Sequence, residues 1–284
     1  VTSFDASWVL EYVATDSVGD PVTLPIETSA PTWASSPLSN ADAIAVADVD
    51  GDASVGAIDA SLILQHDVEL ITEFPVEAPG APSVAPVVGA YGLSGVASST
   101  RPGARIVVTL DASDVPDLLA GELRLDFDPV ALRAVTAYMG GPEGPASMLA
   151  HHAHEGRVGV AFAAARPIDA AGSSLHVVFE AARDLDDVRS GVIEASRLRL
   201  NGATYETGFR FAYAVEPYRT RLMANFPNPF NPETWIPFEL SEAAHVTIHI
   251  YAVDGRVVRT LELGALAQGM YADGAKAAYW NGRN

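Results

Sequence analysis

The sequence predicts a mainly β chain with two β-sandwiches and a small helical region at its N-terminus. Three observations support this prediction. Apolar and polar residues alternate in many short runs between about residues 87 and 215, alternation resumes over residues 216–284, and two short helical patterns lie within residues 1–73. Strict alternation places one face of a strand in a core and the other face in water.

Composition narrows the function classes. The 284 residues suffice for two or three domains, and 49% hydrophobic content supports folded cores. The formal net charge of -19 disfavours nucleic acid and anionic membrane surfaces as partners. Without cysteine there is no disulfide, thiolate metal site or cysteine nucleophile. No apolar run approaches the ~20 residues of a membrane helix, and Val1 does not open a signal peptide, so we expect any targeting segment to be absent from this sequence.

The helical region contains one unit twice. VTSFDASWVLEYV at residues 1–13 aligns with VGAIDASLILQHD at residues 55–67, and a Pro/Ser/Thr-rich insert occupies about residues 16–40. Duplicated units of this kind pack their helices against each other. The predicted contacts between the two helices are Trp8, Leu10, Leu62 and Leu64.

An acidic loop, DVDGDASVGAID at residues 48–59, precedes the second helix. Oxygen ligands at alternate loop positions, closed by a carboxylate on the entering helix, suit Ca²⁺. Ala53 replaces the usual turn glycine, and Gly56 offers no side chain, so water would fill that position. A solvated acidic turn that caps the helix is the alternative. The predicted ligands are Asp48, Asp50, Asp52, the backbone carbonyl of Ser54, and Asp59.

A proline-rich segment, FPVEAPGAPSVAP at residues 74–86, predicts an extended, semi-rigid spacer and a domain boundary. The sandwich of residues 87–215 follows, with GELRLDF, RVGVAF, SLHVVFEA, SRLRLN and GFRFAYAV as its alternating runs. In the first of these runs, the alternation predicts that Glu122, Arg124 and Asp126 face water.

The last block, residues 216–284, contains WIPFEL, HVTIHIYAV and RVVRTLEL. Asp254 and Gly255 separate the last two runs and predict a hairpin whose central residues adopt left-handed backbone angles. We expect a small β-sandwich.

The duplicated unit, with its D-x-D-x-D-x-x-V-x-x-x-D-A-S-L-I-L pattern, resembles a dockerin domain, a paired calcium loop-helix module that docks onto cohesin domains. This resemblance covers Val1 to about Glu73 and implies an EF-hand-like region, bound Ca²⁺ and a protein partner. Dockerins recognise partners through residues just before the last ligand and through the helix surface. The corresponding residues here are Ser3, Phe4, Ala57 and Ile58.

The middle block resembles a cohesin: RIVVTLDASDVPDLLAGELRLDFDPVALRAV leads through a loop into a strand that ends in the turn Phe127-Asp128-Pro129. The last block, with NFPNPFNP and YWNGRN, is similar to the immunoglobulin-like domains that end many secreted bacterial proteins, among them type IX secretion sorting and flagellar-hook-capping domains. Together these resemblances imply a cohesin-like and an immunoglobulin-like β-sandwich and an extracellular or cell-surface location. The second resemblance also implies that the last sandwich lacks its final strands. With the incomplete first loop, this indicates a fragment or, alternatively, ends completed by a neighbouring copy.

No catalytic set can be assembled from the sequence. His151, His152 and His154 lie in a Gly/Pro/Ala-rich connection that predicts a solvated loop. Asp126 and Asp128 resemble the paired carboxylates of a glycosidase, but a structural role is predicted for both. The sequence therefore predicts a protein that is not an enzyme.

The function expected from these features is noncatalytic extracellular assembly through calcium-stabilised dockerin-cohesin-type contacts, with head-to-tail polymerisation into a surface filament or scaffold. The expected partners are other protein subunits, including copies of this chain. Two alternatives stay open: the ancillary C-terminal region of a larger secreted polysaccharide-acting enzyme, and a carbohydrate-binding module. For the last, the visible aromatic candidates Tyr91, Tyr138 and Tyr205 are scattered along the chain.

Overall fold

The computed structural model describes residues 3–19, 46–77, 90–97, 101–140, 147–169 and 173–283. The chain forms two compact units. The first contains residues 1–182 and 189–214, and the second contains residues 183–188 and 215–284. Strands dominate both units, which confirms the prediction of a mainly β chain. Most of the predicted insert, residues 16–40, lies outside the described residues.

The helices of the first unit whose bounds the structure describes are α1, Ser3–Ser17, and α2, Ala57–Asp67. They pack against each other, and all four residues predicted to form this contact belong to one apolar cluster. Residues 57–64 of α2 are buried without interruption, which a helix covered on one face alone would not show. The buried members of the predicted set are Leu10, Leu62 and Leu64, and Trp8 is partly buried.

In its described residues, the first unit also contains ten strands in two sheets, with strand orders β1-β2-β7-β4 and β10-β8-β3-β6-β5, and β9 pairs with β8. In the first sheet β2 pairs antiparallel with β7, and in the second sheet β3 pairs antiparallel with β6. The strands are β1 Gly92–Ala97, β2 Arg105–Asp111, β3 Ala120–Asp126, β4 Leu132–Gly140, β5 Met148–His154, β6 Arg157–Ala163, β7 Ser174–Ala181, β8 Arg189–Leu200, β9 Ala203–Tyr205 and β10 Arg210–Val215.

The core of the sandwich follows the predicted alternation. Leu123 and Leu125 on β3 are buried, as are Val177 and Phe179 on β7. The ring of Phe127, just after β3, meets the ring of Phe179 edge-on, with 5.1 Å between their centroids. Alternate residues of facing strands therefore supply the apolar interior, as in other sandwiches.

The outer face of β3 and β6 is covered by the two helices, which makes the first unit three layers deep. Ala161 and Ala163 on β6 join the apolar cluster of α1 and α2. The prediction that Glu122, Arg124 and Asp126 face water is wrong for Glu122, which is 4% exposed. The physical reason is that helices cover this face of the sheet, and the unpaired backbone groups at a helix end replace water as hydrogen-bonding partners of a charged side chain.

The start of the predicted spacer packs back onto the helical region instead of extending away from it. Pro75–Glu77 forms a short 3-10 helix, and the Phe74 ring stacks on His66 with 4.9 Å between centroids. The Val76 amide donates to the Val49 carbonyl at 3.2 Å. A boundary at residues 74–86 thus separates parts that share one compact unit, and residues 78–89 lie outside the described residues.

The predicted solvated histidine loop is a strand. Residues 148–154 pair antiparallel with β6 as β5, and Glu155 and Gly156 form the turn between them with φ of 46° and 79°. The prediction was wrong because pairing with β6 satisfies the backbone of this segment whatever its composition. Among the described residues, no helix has the length and apolar character needed to cross a membrane.

The second unit is all β in its described residues. Its apolar cluster contains Ile236, Phe238 and Leu240. The predicted hairpin is confirmed, but Gly255 alone of the two predicted turn residues has positive φ, and the Ala252 amide closes the turn on the Arg256 carbonyl. The strands are β11 Arg221–Leu222, β12 Thr234–Ile236, β13 Phe238–Leu240, β14 Ala244–Tyr251, β15 Val257–Leu266, β16 Gly269–Tyr271 and β17 Ala278–Trp280.

Candidate functional site: the acidic loop and the helix-binding face

Three carboxylates meet in the loop before α2. One oxygen each of Asp48, Asp50 and Asp52 lies within 4.8 Å of the other two. Asp48 and Asp50 are half-buried, whereas Asp52 is exposed. Burial, above all, raises the pKa of the Asp50 carboxyl, and the negative charges of its two neighbours add to the rise.

Hydrogen bonds within the loop hold these carboxylates in place. Asp48 accepts from the amides of Gly51 at 2.8 Å and Ala53 at 3.0 Å. Asp50 accepts from the Asp52 amide at 3.0 Å. Asp52 in turn accepts from the amide of Ser54 at 2.8 Å and from its hydroxyl at 2.7 Å. The alternate spacing therefore gives each carboxylate a backbone donor two to five residues further on.

Ala53 has a φ of 70°, in the left-handed region that favours glycine. The sequence predicts a sharp turn at this position, and the structure forms it with a side chain that fits the turn poorly. The loop accordingly keeps its turn geometry at a conformational cost of about 1 kcal/mol.

Asp59 closes the loop from the first turn of α2. Its carboxylate accepts from the amides of Val49 at 2.9 Å, Asp50 at 3.2 Å and Gly56 at 2.8 Å. The side chain is fully buried. This burial, above all, raises the pKa of the Asp59 carboxyl to about 7; the hydrogen bond from Gly56 opposes the rise and the charge of Asp50 adds to it.

The chemistry of this donor set fits a hard cation. Three carboxylates in contact repel one another, and a divalent ion with oxygen ligands would neutralise them. The structure brings Asp48, Asp50 and Asp52 together, whereas Asp59 is engaged with loop amides beside them. Ca²⁺ binding by the whole predicted ligand set, which is Asp48, Asp50, Asp52, Asp59 and the Ser54 carbonyl, stays a prediction.

Next to the loop, the sandwich binds the N-terminus of α2. Glu122 on β3 accepts a hydrogen bond from the Ala57 amide, the first of the helix, at 3.1 Å. Arg199 and Arg197 on β8 lie 3.5 Å from its two carboxylate oxygens. A carboxylate at a helix N-terminus interacts favourably with the helix dipole, so this contact is electrostatically matched.

The C-terminus of α1 is matched in the opposite sense. Arg124 on β3 donates to the Ser17 carbonyl at 3.2 Å, and Arg157 on β6 donates to the Val18 carbonyl at 2.8 Å. Both guanidinium groups thereby satisfy carbonyls that have no partner within the helix. We call this surface the helix-binding face: Ala120, Glu122, Arg124, Arg157, Gly159, Ala161 and Ala163.

Small residues let the helices approach the helix-binding face closely. A Cβ atom added at Gly159 would overlap the Ser17 hydroxyl and the Ala14 carbonyl of α1. On α2, the Ser61 hydroxyl donates to the Ala164 carbonyl at 2.7 Å. Backbone contact of this kind requires glycine or alanine at the crossing point.

Two of the four predicted partner-binding residues contact the sandwich of their own chain. Ala57 and Ile58 are buried and line a small cavity with Glu122 and Arg199. Ser3 and Phe4 belong to α1, but their side chains lie outside the described residues. The contacting side chains on the sandwich could not be predicted, because a charged residue on a strand ordinarily indicates a solvent-facing position.

Neither a family model nor a curated protein matches the chain. Solved structures do match. The sixth cohesin of scaffoldin B from Acetivibrio cellulolyticus, solved in complex with a dockerin, is 14% identical over 43% of this chain and 96% of its own, with a TM-score of 0.33. A cohesin module from a Clostridium perfringens family 33 glycoside hydrolase is 11% identical over 46% of this chain and 96% of its own, with a TM-score of 0.35. A non-cellulosomal cohesin from Archaeoglobus fulgidus is 16% identical over 43% of this chain and 89% of its own, with a TM-score of 0.32.

The carboxylates weighed as a catalytic pair have arginine partners. Asp128 lies 2.7 Å from Arg189, and Asp126 lies 4.0 Å from Arg157. The hydrogen bond from Arg189 lowers the pKa of the Asp128 carboxyl. Asp128 also accepts from the Val130 amide at 2.9 Å, which fixes the turn after β3. This geometry suits the structural role that the sequence predicts, and we call the contact between Asp128 and Arg189 the turn clamp.

The aromatic candidates differ from those the sequence offered. Tyr91 and Tyr205 meet edge-on with 5.4 Å between centroids, whereas Tyr138 packs on His176 of β7. A row of three rings in the second unit was not predicted, because its members meet only through strand pairing. These residues are Phe226, Trp235 and Tyr279.

Proposed function

We propose that this chain is a noncatalytic extracellular assembly protein, at a bacterial cell surface, that acts through dockerin-cohesin-type contacts stabilised by Ca²⁺. The observation that carries the proposal is the electrostatic match at the helix-binding face. Glu122 meets the N-terminus of α2, and Arg124 and Arg157 meet the C-terminus of α1. Such a match sets orientation as well as contact, which a specific docking surface requires.

Calcium has a defined part in this proposal. Ca²⁺ held by Asp48, Asp50 and Asp52, with Asp59 and the Ser54 carbonyl completing the ligand set, would fix the loop that leads into α2. The amide that Glu122 accepts from belongs to the first residue of that helix. A fixed loop therefore presents the helix N-terminus to the sandwich in one orientation.

Assembly follows from exchange of the helix pair between copies. In one chain the helix-binding face is covered by that chain's own α1 and α2. If the helices of one copy bind the face of the next, each link is head-to-tail, and such links give a filament or scaffold unless they close into a ring. The partners are then other copies of this chain or subunits with equivalent helices.

Two complementary variants of the full chain test this. Gly159→Leu blocks the helix-binding face but keeps the helices; Ala14→Arg disables α1 but keeps the face. Mixed in calcium, the two should form a complex of twice the mass of one chain by light scattering, and chelator should reduce it. Two species that both stay at the mass of one chain, each with native strand content, would contradict the proposal.

A carbohydrate-binding function is a second candidate, and the aromatic row of the second unit favours it. The ring centroids of Phe226 and Trp235 are 5.9 Å apart, and those of Trp235 and Tyr279 are 5.7 Å apart. Phe226 is 40% and Tyr279 48% exposed. Rings of this size supply apolar area beside polar groups, as ligand sites do. Retention on insoluble polysaccharide that Phe226→Ala abolishes and Tyr138→Ala preserves would support it; no retention excludes it.

A further inference from the structure

Arg199 lies between the acidic loop and the helix-binding face. Its Nη2 is 3.9 Å from the Asp52 carboxylate, and its Nη1 is 3.5 Å from the Glu122 carboxylate. The side chain is only 16% exposed, so water screens its charge less than that of a surface arginine. One guanidinium therefore interacts with a member of the carboxylate cluster and with the residue that binds the N-terminus of α2.

We propose that Arg199 is the resident counter-charge of the acidic loop and sets its affinity for a divalent cation. This inference rests on the proposed calcium-binding function. The positive charge of Arg199 partly offsets the repulsion among the three aspartates without a cation, and it repels a cation that binds there. The loop consequently remains compact at low calcium, and binding is weaker than its carboxylates alone would give.

Glu122 lets a cation bind and leave while Arg199 stays in place. When a cation neutralises Asp52, Arg199 keeps a carboxylate partner in Glu122, which is 4% exposed and also accepts a hydrogen bond from the Ala57 amide. Arg199 therefore remains between the loop and the helix-binding face in both states. Gly56, beside both side chains, leaves them room, because a Cβ atom there would lie 3.1 Å from Glu122 Oε1 and 3.4 Å from Arg199 Nη1.

The test is calcium binding by calorimetry with the full chain and matched charge variants. Arg199→Gln should bind calcium about threefold to tenfold more tightly than the natural chain, since a nearby positive charge is lost. Arg199→Lys keeps the charge and should stay within about twofold. Arg133→Gln, on β4 of the other sheet, makes the same change in net charge and should also leave the affinity unchanged.

Thermal unfolding supplies a second readout. In chelator, Arg199→Gln should unfold at a lower temperature than the natural chain, and calcium should narrow this gap, because the cation replaces the charge that Asp52 loses but not the partner that Glu122 loses. Arg199→Met, which keeps the apolar stem, replaces the glutamine variant if that variant does not fold. If the natural chain binds calcium but the neutral variant binds it no more tightly, the role of Arg199 is overturned and the proposed calcium site is not. A natural chain that binds no calcium would overturn both this inference and the calcium part of the proposed function.

Discussion

The Glu122 carboxylate accepts a hydrogen bond from the Ala57 amide at 3.1 Å, and this bond joins the centre of a β-sheet to the first residue of a helix sixty-five positions earlier. Glu122 is 4% exposed, and its second oxygen has Arg197 at 3.5 Å. A buried carboxylate is costly unless charged and hydrogen-bonding partners surround it. Here the helix and the arginines of β8 provide those partners together.

Replacement of Glu122 by alanine should therefore cost about 2–4 kcal/mol of unfolding free energy, because two arginines and a helix N-terminus lose their common partner. Urea unfolding measures this loss. Glu194→Ala is the matched control, since Glu194 forms an exposed ion pair with Arg210 and should cost less than about 1 kcal/mol. Equal losses in the two variants would contradict the assigned role of Glu122.

A larger residue at Gly159 should separate α1 from the sheet. The Gly159→Leu side chain would overlap the Ser17 hydroxyl and the Ala14 carbonyl, so we expect about 2–3 kcal/mol of destabilisation. Hydrogen exchange should show faster exchange in α1 and unchanged exchange in β14 and β15 of the second unit. Gly208→Ala is the control, because an added Cβ there meets nothing within 4 Å. Protection of α1 that survives in Gly159→Leu would show that the close contact does not hold the helix.

Local pattern was sufficient for much of the fold. Leu123 and Leu125 face the sandwich core as the alternation of β3 predicts, and Leu62 and Leu64 are buried as the helical repeat predicts. The acidic loop also follows from spacing alone, since each carboxylate binds a backbone amide a few residues away. Features that depend on near neighbours in the sequence are visible in the sequence.

The helix-binding face could not be predicted, because its contacts join residues that are distant in the sequence. Arg124 and Arg157 bind the end of α1 from more than a hundred residues away, and nothing in either strand marks them as helix partners. The alternation shows that Glu122 lies on the face of β3 opposite the core, but it does not distinguish a face covered by water from a face covered by a helix. The prediction of a solvated loop around His154 was wrong for the same reason, because this segment forms a strand through pairing with β6.

Replacing Ala53 by glycine should stabilise the loop. Ala53 has a φ of 70° and is exposed, so glycine removes the strain of the left-handed angle at the cost of greater freedom in the unfolded chain. We expect a net gain of about 0.5–1 kcal/mol in urea unfolding. Gly51→Ala is the reciprocal control, because Gly51 has a φ of 78° and alanine there should destabilise the loop. No gain from Ala53→Gly would indicate that the turn relaxes in solution.

The turn clamp between Asp128 and Arg189 should make stability depend on acid. Arg189 donates to the Asp128 carboxylate at 2.7 Å and lowers its pKa in the folded chain below the usual value of 3.8. A lowered folded-state pKa adds stability that is present above the unfolded pKa and is lost as the pH falls through the folded pKa. The natural chain should therefore be more stable than Arg189→Gln at pH 7, and this difference should shrink below about pH 4. Urea unfolding of both chains across this range measures the difference directly, since the other carboxylates titrate in both. A difference that is unchanged in acid would show that Arg189 stabilises the turn through packing and not through the charge of Asp128.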